Sequence, residues 1–545
     1  MLRISVVFFI IVLSASPVFS QIEHVPVVHP VYDFLLHMET KGLLENFSLS
    51  SLPLQRQEIV NALIKISKYK SNLSDADYKS LQLYETEFEI VKRNNAVLFF
   101  SSTDSNPVLS SRFYGNDEKF FYHLKDSNYI VNVLPIGSFE SIIGFEKSTK
   151  KDVIYGNLGV RIYGTLSNTF GYFIQASNGA VLSGSRELAL HEVHKLQQNI
   201  KFADLNSDFD FAESHVVYQN GWFNAEIGRE TRLLGAGISQ RIYLSDNAAQ
   251  FDAISVGAKF LNFKYKFTHG SLLAIPLAGP GLGVAANIPS KYVAIHRFAI
   301  KPKWGEIGFW ENIIYSKRGI DLTYLNPLSF FKSLEHALKD RDNSMMGLDA
   351  TLRPFDGIQF KGTYLLDDLR FEKIGTGSWG NKSAWNIGMI ASLIPAIDFA
   401  IEYARVEPYT FTHFDSLNAM TNDSMLYGSY LFPNSDELSF NLYYWWGERY
   451  PIKLKIAYQR HGDNYKDSTG KLINVGGNPF QTNRFGIDSE TVYFLDGKRV
   501  NTVDATIEAG YEIFRGFNLH LLYHLKSIDK TTTNAIRLIL RFEDF

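Results

Sequence analysis

The most informative part of the sequence is Asn534-Ala-Ile-Arg-Leu-Ile-Leu-Arg-Phe-Glu-Asp-Phe545. Every second residue from Ile536 to Phe542 is apolar, and these residues share one face of an extended chain: Ile536, Leu538, Leu540 and Phe542. Arg537 and Arg541 lie on the other face. An alternating strand with an aromatic residue near its end is typical of membrane β-barrels. Phe545 itself falls on the arginine face. Either Phe542 is therefore the aromatic residue in register, or the assembly signal is divergent.

The same period of two recurs from about residue 120 onward. The clearest runs lie near the end of the chain: 438–446, 452–458, 507–513 and 517–525. Counting runs of about ten residues predicts roughly eighteen antiparallel strands, an even number as in single-chain bacterial barrels. A soluble sandwich or propeller also has many short strands, but it does not need so many aromatic strand ends. The fold class predicted for residues 101–545 is an all-β transmembrane barrel.

Residues 1–20 have the features of a secretory signal peptide. Arg3 precedes an apolar run from Ile4 to Leu13, and small residues then lead to a predicted cleavage site after Ser20. Export together with a barrel pattern predicts the outer membrane of a Gram-negative-type bacterium, with outer-membrane lipid and the barrel-assembly machinery as partners.

Residues 21–100 have a helical period instead. Pro30 precedes apolar residues spaced as on one helix face, a second helix is predicted from Arg56 to Tyr69, and Ser74 with Asp77 forms a capping-box pattern at the start of a third. We predict a small helical bundle in the periplasm.

Composition excludes several functions. The net charge of -3 argues against a nucleic-acid partner, and the absence of cysteine removes thiol catalysis, disulfides and cysteine-zinc sites. No set of residues has metal-ligand spacing or marks a catalytic nucleophile, so no metal, no cofactor and no enzymatic activity are predicted.

Connections between the predicted strands alternate between short and long, and the long ones are expected to be extracellular. The long connections are 179–207, 232–251, 269–291, 318–345, 366–383, 407–436 and 460–502, with helical spacing in Arg186–Gln198 and Leu328–Lys339. The adjacent Trp445 and Trp446 stand at a strand end and are predicted to belong to the aromatic girdle.

Several motifs between Trp222 and Leu369 resemble those of the Wzi-like capsule-assembly family. They are Trp222-Phe-Asn-Ala-Glu-Ile-Gly-Arg229, Leu234-Gly-Ala-Gly237, Ile242-Tyr-Leu-Ser-Asp-Asn-Ala248, His296-Arg297-Phe298, Asn326-Pro327, Gly347-Leu-Asp349 and Asp367-Asp368. The resemblance implies a barrel of about eighteen strands with a periplasmic helical bundle, whose extracellular loops hold capsular polysaccharide.

Nine residues are candidates for contacting such a polysaccharide. Guanidinium groups pair with acidic sugars, aromatic rings stack on sugars, and amides or carboxylates bind hydroxyls. The candidates are Arg229, Arg232, Arg241, Tyr324, Asn326, Phe330, Phe331, Asp367 and Asp368. Each also has a structural alternative: Glu226 or Glu230 could balance a lumen arginine, Asn326 could form a turn, and Asp367 and Asp368 point to opposite strand faces.

The function predicted from these features is a non-enzymatic barrel that binds or organises capsular or exported polysaccharide at the cell surface. The alternative is a porin or diffusion channel. An open lumen and a lumen filled by loops have the same strand alternation, so the strand pattern does not choose between these two functions.

Overall fold

The computed structural model describes residues 21–90, 96–97, 114–115, 118–126, 128–146, 149–204, 206–275, 288–339 and 341–543. The predicted signal peptide and Phe545 lie outside these residues. No helix in the described ranges is long and apolar enough to cross a membrane.

Eighteen antiparallel strands form a closed barrel in these residues. They are β1 (Tyr129–Glu146), β2 (Thr149–Leu166), β3 (Phe170–Gly184), β4 (Asp208–Asn220), β5 (Phe223–Glu230), β6 (Phe251–Phe260), β7 (Phe263–Leu272), β8 (Lys291–Ile300), β9 (Gly305–Ser316), β10 (Asn343–Phe355), β11 (Ile358–Asp368), β12 (Lys382–Ile394), β13 (Ile397–Val406), β14 (Ser435–Tyr444), β15 (Ile452–Asp463), β16 (Lys498–Phe514), β17 (Phe517–Ile528) and β18 (Thr531–Phe542). A short strand, Tyr122–Lys125, also pairs with the start of β1. The predicted fold class and strand number are confirmed.

The last strand closes the barrel. β18 pairs with β17 along its whole length and with β1 from Thr533 opposite Glu146 to Phe542 opposite Gly137. Ile536, Leu538 and Leu540 are exposed on the outer wall, while the Arg537 Nε donates to Glu140 at 2.8 Å inside. The alternation of the opening stretch thus separates an outer face for lipid from a polar lumen.

The two ends of the barrel differ. At one end the strands are joined by short turns, such as 221–222, 261–262, 356–357 and 395–396, and we call it the short-turn end. Most connections at the opposite end are long, and we call it the long-loop end. The seven long connections predicted from the sequence correspond to the gaps between strands at the long-loop end; of the third, only residues 273–275 and 288–290 are described. One of them carries α4 (Arg186–Glu192), α5 (His194–Gln197) and α6 (Ile200–Asp204), and another carries α7 (Leu322–Leu325) and α8 (Phe331–Ala337).

Three helices precede the barrel: α1 (Val31–Thr40), α2 (Arg56–Ser67) and α3 (Asp75–Glu87). Each begins where the sequence predicts. The Ser74 side chain accepts from the Asp77 backbone N–H at 3.2 Å, and the Asp77 carboxylate accepts from the Ser74 backbone N–H, which completes the predicted capping box.

The helices pack against the short-turn end rather than standing apart from it. His37 lies between Asp77 at 2.9 Å and Asp398 at 2.7 Å, and its ring stacks on Trp445 with ring centres 4.7 Å apart. The Trp445 indole N–H donates to the same Asp398 at 2.9 Å. Trp445 is therefore buried in the core of the helical region, and its assignment to the girdle is wrong. The neighbouring Trp446 is partly exposed.

Charge at this junction holds Asp77 in its ionised form. Burial raises the pKa of this carboxyl group, but the hydrogen bond from His37 and the charges of His37 and Lys41 outweigh burial. The pKa of Asp77 consequently lies well below its usual range.

Further contacts join the helical segment to turns around the mouth. Asn46 donates to the Lys301 carbonyl at 2.9 Å, the Gly357 N–H to the Thr40 carbonyl at 2.9 Å, and the Tyr84 hydroxyl to the Arg449 carbonyl at 2.9 Å. The segment therefore covers the short-turn mouth of the barrel.

Candidate functional site: a filled lumen and a polar cleft at the rim

The connection between β5 and β6 folds into the lumen. We call residues 231–250 the inner loop. Leu233 and Leu234 pair with Leu52 and Ser51 of the helical segment, so the inner loop meets that segment inside the barrel. Tyr243 stacks on Trp310 of β9 with ring centres 3.6 Å apart, and both rings are buried.

One carboxylate holds the tip of the inner loop. Glu402 of β13 accepts from the backbone N–H groups of Ile238, Ser239 and Gln240 at 2.8, 2.7 and 2.7 Å. The Asn386 amide donates to it at 2.7 Å. Three backbone donors on one carboxylate hold the loop across the barrel, because withdrawal of the loop would break all three bonds.

A second connection, residues 407–434, folds over the inner loop from the long-loop end. We call it the capping loop. Asn247 of the inner loop donates to the carbonyls of Leu426 and Ser429 at 2.8 and 3.0 Å, and the Asn312 amide on β9 donates to the Tyr427 hydroxyl at 2.9 Å. Within the described residues the lumen thus holds three layers: helical segment, inner loop and capping loop.

A polar cleft of about 820 Å³ opens at the rim, beside the capping loop. Its strand side is formed by residues 158–160 of β2 and by parts of β3 to β7 toward the long-loop end. Its other side is formed by residues 195–201 and 422–425. Twelve of its lining residues carry charged or amide side chains: Asn178, Lys195, Gln197, Gln198, Asn199, Lys201, Asp210, Arg229, Gln250, Asp252, Asn422 and Asp423. This lining offers both donors and acceptors, as the hydroxyls of a saccharide require.

Charges within the cleft are balanced. Arg229 forms a two-pronged ion pair with Asp252 at 3.0 and 2.6 Å, and Lys201 pairs with Asp208 at 2.6 Å. The hydrogen bond to Asp208 raises the pKa of Lys201. The Lys195 Nζ lies 4.3 Å from the centre of the Phe211 ring. Such a surface suits a polar chain through hydrogen bonds and stacking rather than through one dominant charge.

Hydrogen bonds to backbone hold parts of the cleft in place. Asn422 accepts from the Leu273 N–H at 2.7 Å and donates to the Ala249 carbonyl at 2.8 Å. The Asn199 amide donates to the Asp210 carbonyl at 2.6 Å. These bonds tie three separate connections together, so the cleft is preformed.

The structure does not bring the nine sequence candidates together. Only Arg229 lines the cleft, on the same strand face as the exposed Ile227. Arg232 is buried between Glu226 at 2.8 Å and Glu230 at 3.5 Å, the structural alternative weighed above. Arg241 donates to the Gly235 carbonyl at 2.9 Å within the inner loop.

The remaining six candidates lie in two other places. Tyr324, Asn326, Phe330 and Phe331 belong to the connection that carries α7 and α8, where Tyr324 and Phe331 are buried and Asn326 accepts from the Leu328 N–H at 3.1 Å. Asp367 is buried and accepts from the Phe411 N–H at 2.6 Å, whereas Asp368 is exposed. Binding of polysaccharide by these residues stays a prediction.

Sequence reasoning missed most of the cleft. A sequence signal for the cleft was the polar run Gln197-Gln198-Asn199, which lies in the long connection 179–207. Asn422 and Asp423 had no local signal, because they reach the cleft only through the fold of the capping loop.

Comparison with known proteins decides the family. The model of the family described as capsule assembly protein Wzi matches residues 149–533, which is more than half of the chain. The chain belongs to the Wzi capsule-assembly family. It is accordingly an outer-membrane β-barrel of that family, as the motifs between Trp222 and Leu369 indicated.

A solved structure shares this fold. Wzi of Escherichia coli, described as an outer membrane protein involved in group 1 capsule assembly and a carbohydrate-binding β-barrel, is 10% identical. The match has a TM-score of 0.56 and covers 95% of this chain and 98% of that one. OccAB2 of Acinetobacter baumannii is 10% identical with a TM-score of 0.44, over 75% of this chain and 98% of its own. No curated protein matches the chain.

Proposed function

We propose that this Wzi-family barrel binds exported or capsular polysaccharide at the cell surface and holds it there without catalysis. In this proposal the long-loop end faces outward and the helical segment faces the periplasm. The orientation is supported by the general arrangement of outer-membrane barrels, which have short periplasmic turns and long extracellular loops.

The observation that carries the proposal is the combination of a filled lumen with a preformed polar cleft at the long-loop rim. Three layers of protein occupy the lumen, which favours surface binding over diffusion of solutes through the barrel. The cleft presents amides, paired charges and an aromatic ring at the end where a surface polymer would arrive. A weak site of this kind suits a long repeating polymer, because many copies on one surface act together.

Binding should be measured with the purified protein in detergent on an array of bacterial capsular oligosaccharides, followed by calorimetry with the best ligand. Gln197→Ala and Asp423→Ala remove cleft side chains, and we expect at least tenfold weaker binding from the pair. Ser468→Ala, on a different long connection, is the matched control and should bind as the unsubstituted protein does. The proposal fails if the array is blank, and its site is wrong if the cleft pair binds normally.

The channel alternative has its own measurement. In planar lipid bilayers the filled barrel should show no large, stable conductance. Sustained conductance would support the porin function, and retention of a normal surface polysaccharide in a deletion strain would count against a capsule function.

A further inference from the structure

The connection between β9 and β10, of which residues 317–339 and 341–342 are described, lies on the outer wall of the barrel. We call it the wall segment. Every second residue of β8 and β9 points outward from the barrel. Near the short-turn end these outward residues include Ile300 and Ile307, which are exposed. Nearer the long-loop end the same face becomes buried, because Tyr324 and Phe331 of the wall segment pack on it.

The covered part of the outer wall contains polar residues that would be unfavourable in contact with lipid. The His296 Nε2 and Glu311 Oε2 are 2.7 Å apart on this outward face, and both residues are buried. Phe331 stacks on the His296 ring with centres 4.5 Å apart, and its backbone N–H donates to Glu311 at 3.2 Å. A histidine and a carboxylate facing acyl chains directly would be strongly unfavourable, so the wall segment shields them.

Specific bonds fix the wall segment in place. Arg318 forms a two-pronged ion pair with Asp342 at 2.8 and 2.7 Å, which joins the start of the segment to its end. The Tyr324 hydroxyl donates to Asp342 at 2.8 Å. Farther along the segment, the Ser344 hydroxyl of β10 donates to the Glu335 carboxylate. The segment is thus a built part of the wall.

The outer surface of the wall segment is apolar. Leu322 and Leu328 are 78% and 83% exposed, and Ile320, Leu325 and Phe330 are exposed as well. Side chains of this kind on a fixed segment mark a contact surface. Leu348 on the outward face of the neighbouring β10 is exposed as well.

Depth along the barrel identifies the occupant of that surface. β8 has ten residues, about the length with which a tilted strand spans the hydrocarbon core. His296 is the sixth residue from the long-loop end of β8, and Phe331 covers it. The wall segment therefore overlies the six residues of β8 nearest the long-loop end, from that end to just past the middle of the strand.

We propose that the wall segment is embedded in the leaflet at the long-loop end and binds lipid acyl chains through Leu322, Leu325, Leu328 and Phe330. It adds a lipid-facing layer to the barrel outside β7 to β10. Two of its lysines form ion pairs, Lys317 with Asp415 at 2.7 Å and Lys332 with Glu335 at 2.8 Å. The proposed contact rests on the exposed apolar side chains, for which acyl chains are the matching partner.

Fluorescence quenching in vesicles tests this proposal, and the absence of native cysteine makes labelling at one site simple. Leu328→Cys is labelled with an environment-sensitive dye in the full-length protein. The protein is then reconstituted in phosphatidylcholine vesicles that contain phosphatidylcholine spin-labelled at carbon 5 of an acyl chain. Leu348→Cys on the lipid-facing wall is the buried-in-lipid reference, and Ser468→Cys, exposed on another long connection, is the aqueous reference.

We expect the dye at position 328 to be quenched by the spin-labelled lipid to at least half the extent seen at position 348, and to be protected from aqueous iodide. Quenching by iodide as strong as at position 468 would overturn the proposal. Protection from both quenchers would also overturn it, since it would mean that a second copy of the chain covers the segment.

Discussion

Glu402 offers the sharpest test of how the lumen is filled. Replacing it with alanine removes the acceptor for three backbone N–H groups and for the Asn386 amide. A hydrogen bond to a charged group contributes about 1.5 kcal/mol at the lower end of the usual range, so the four contribute about 6 kcal/mol. Water that enters the vacated space recovers part of this, and we expect about 3 kcal/mol of lost anchoring.

The measurement is native-state hydrogen exchange of the amides of Ile238, Ser239 and Gln240, followed by mass spectrometry of the protein in detergent. A loss of about 3 kcal/mol should speed their exchange roughly a hundredfold. Glu402→Gln keeps one carbonyl acceptor, so its exchange rates should lie between those of Glu402→Ala and of the unsubstituted protein. Glu437→Ala, which removes only a bond from the Gln240 side chain at 3.0 Å, is the matched control and should leave these amides unchanged.

Equal exchange rates in Glu402→Ala and the unsubstituted protein would refute the reasoning. They would mean that the stacked Tyr243 and the pairing of Leu233 and Leu234 hold the inner loop without help from Glu402.

Three further predictions concern other contacts. Trp445→Ala should lower the free energy of unfolding by about 3 kcal/mol or more, because the side chain of a buried tryptophan is lost. Trp446 is exposed, so Trp446→Ala should lower that free energy much less; urea titration of both variants measures the difference. Phe331→Ala should lower the unfolding temperature clearly more than Phe330→Ala, since only Phe331 covers the His296 and Glu311 pair; heat modifiability on gels measures both. The ionised Asp77 carboxylate stabilises the fold above about pH 4, and this contribution is lost as the pH falls through the lowered pKa of the folded state. The protease resistance of the helical segment should therefore drop in acid. The Asp77→Asn variant should resist protease less at neutral pH, and its resistance should change less with pH below about 4.

Local patterns accounted for the elements of this protein. Ser74 and Asp77 cap α3 through bonds between neighbours in sequence, and Pro30 directly precedes α1, so both helix starts were predictable. The alternation of Ile536 and Leu538 with Arg537 set the two faces of β18 in the same way, because successive side chains of a strand point to opposite sides.

Residues far apart in sequence decided the rest. Trp445 has the sequence context of a girdle residue, yet His37, more than four hundred positions earlier, buries it. Arg229 and Asp423 reach one cleft only because two long connections meet at the rim.

Period, caps and turns are properties of short stretches, so the sequence alone predicted a closed, eighteen-stranded outer-membrane barrel with three helices ahead of it. The folded structure showed that the inner loop turns into the lumen and that the wall segment turns outward onto the wall. Short stretches could not predict these two directions, because each depends on partners elsewhere in the chain. Glu402 supplies the acceptor for the first, and the His296 and Glu311 pair requires the cover that the second provides.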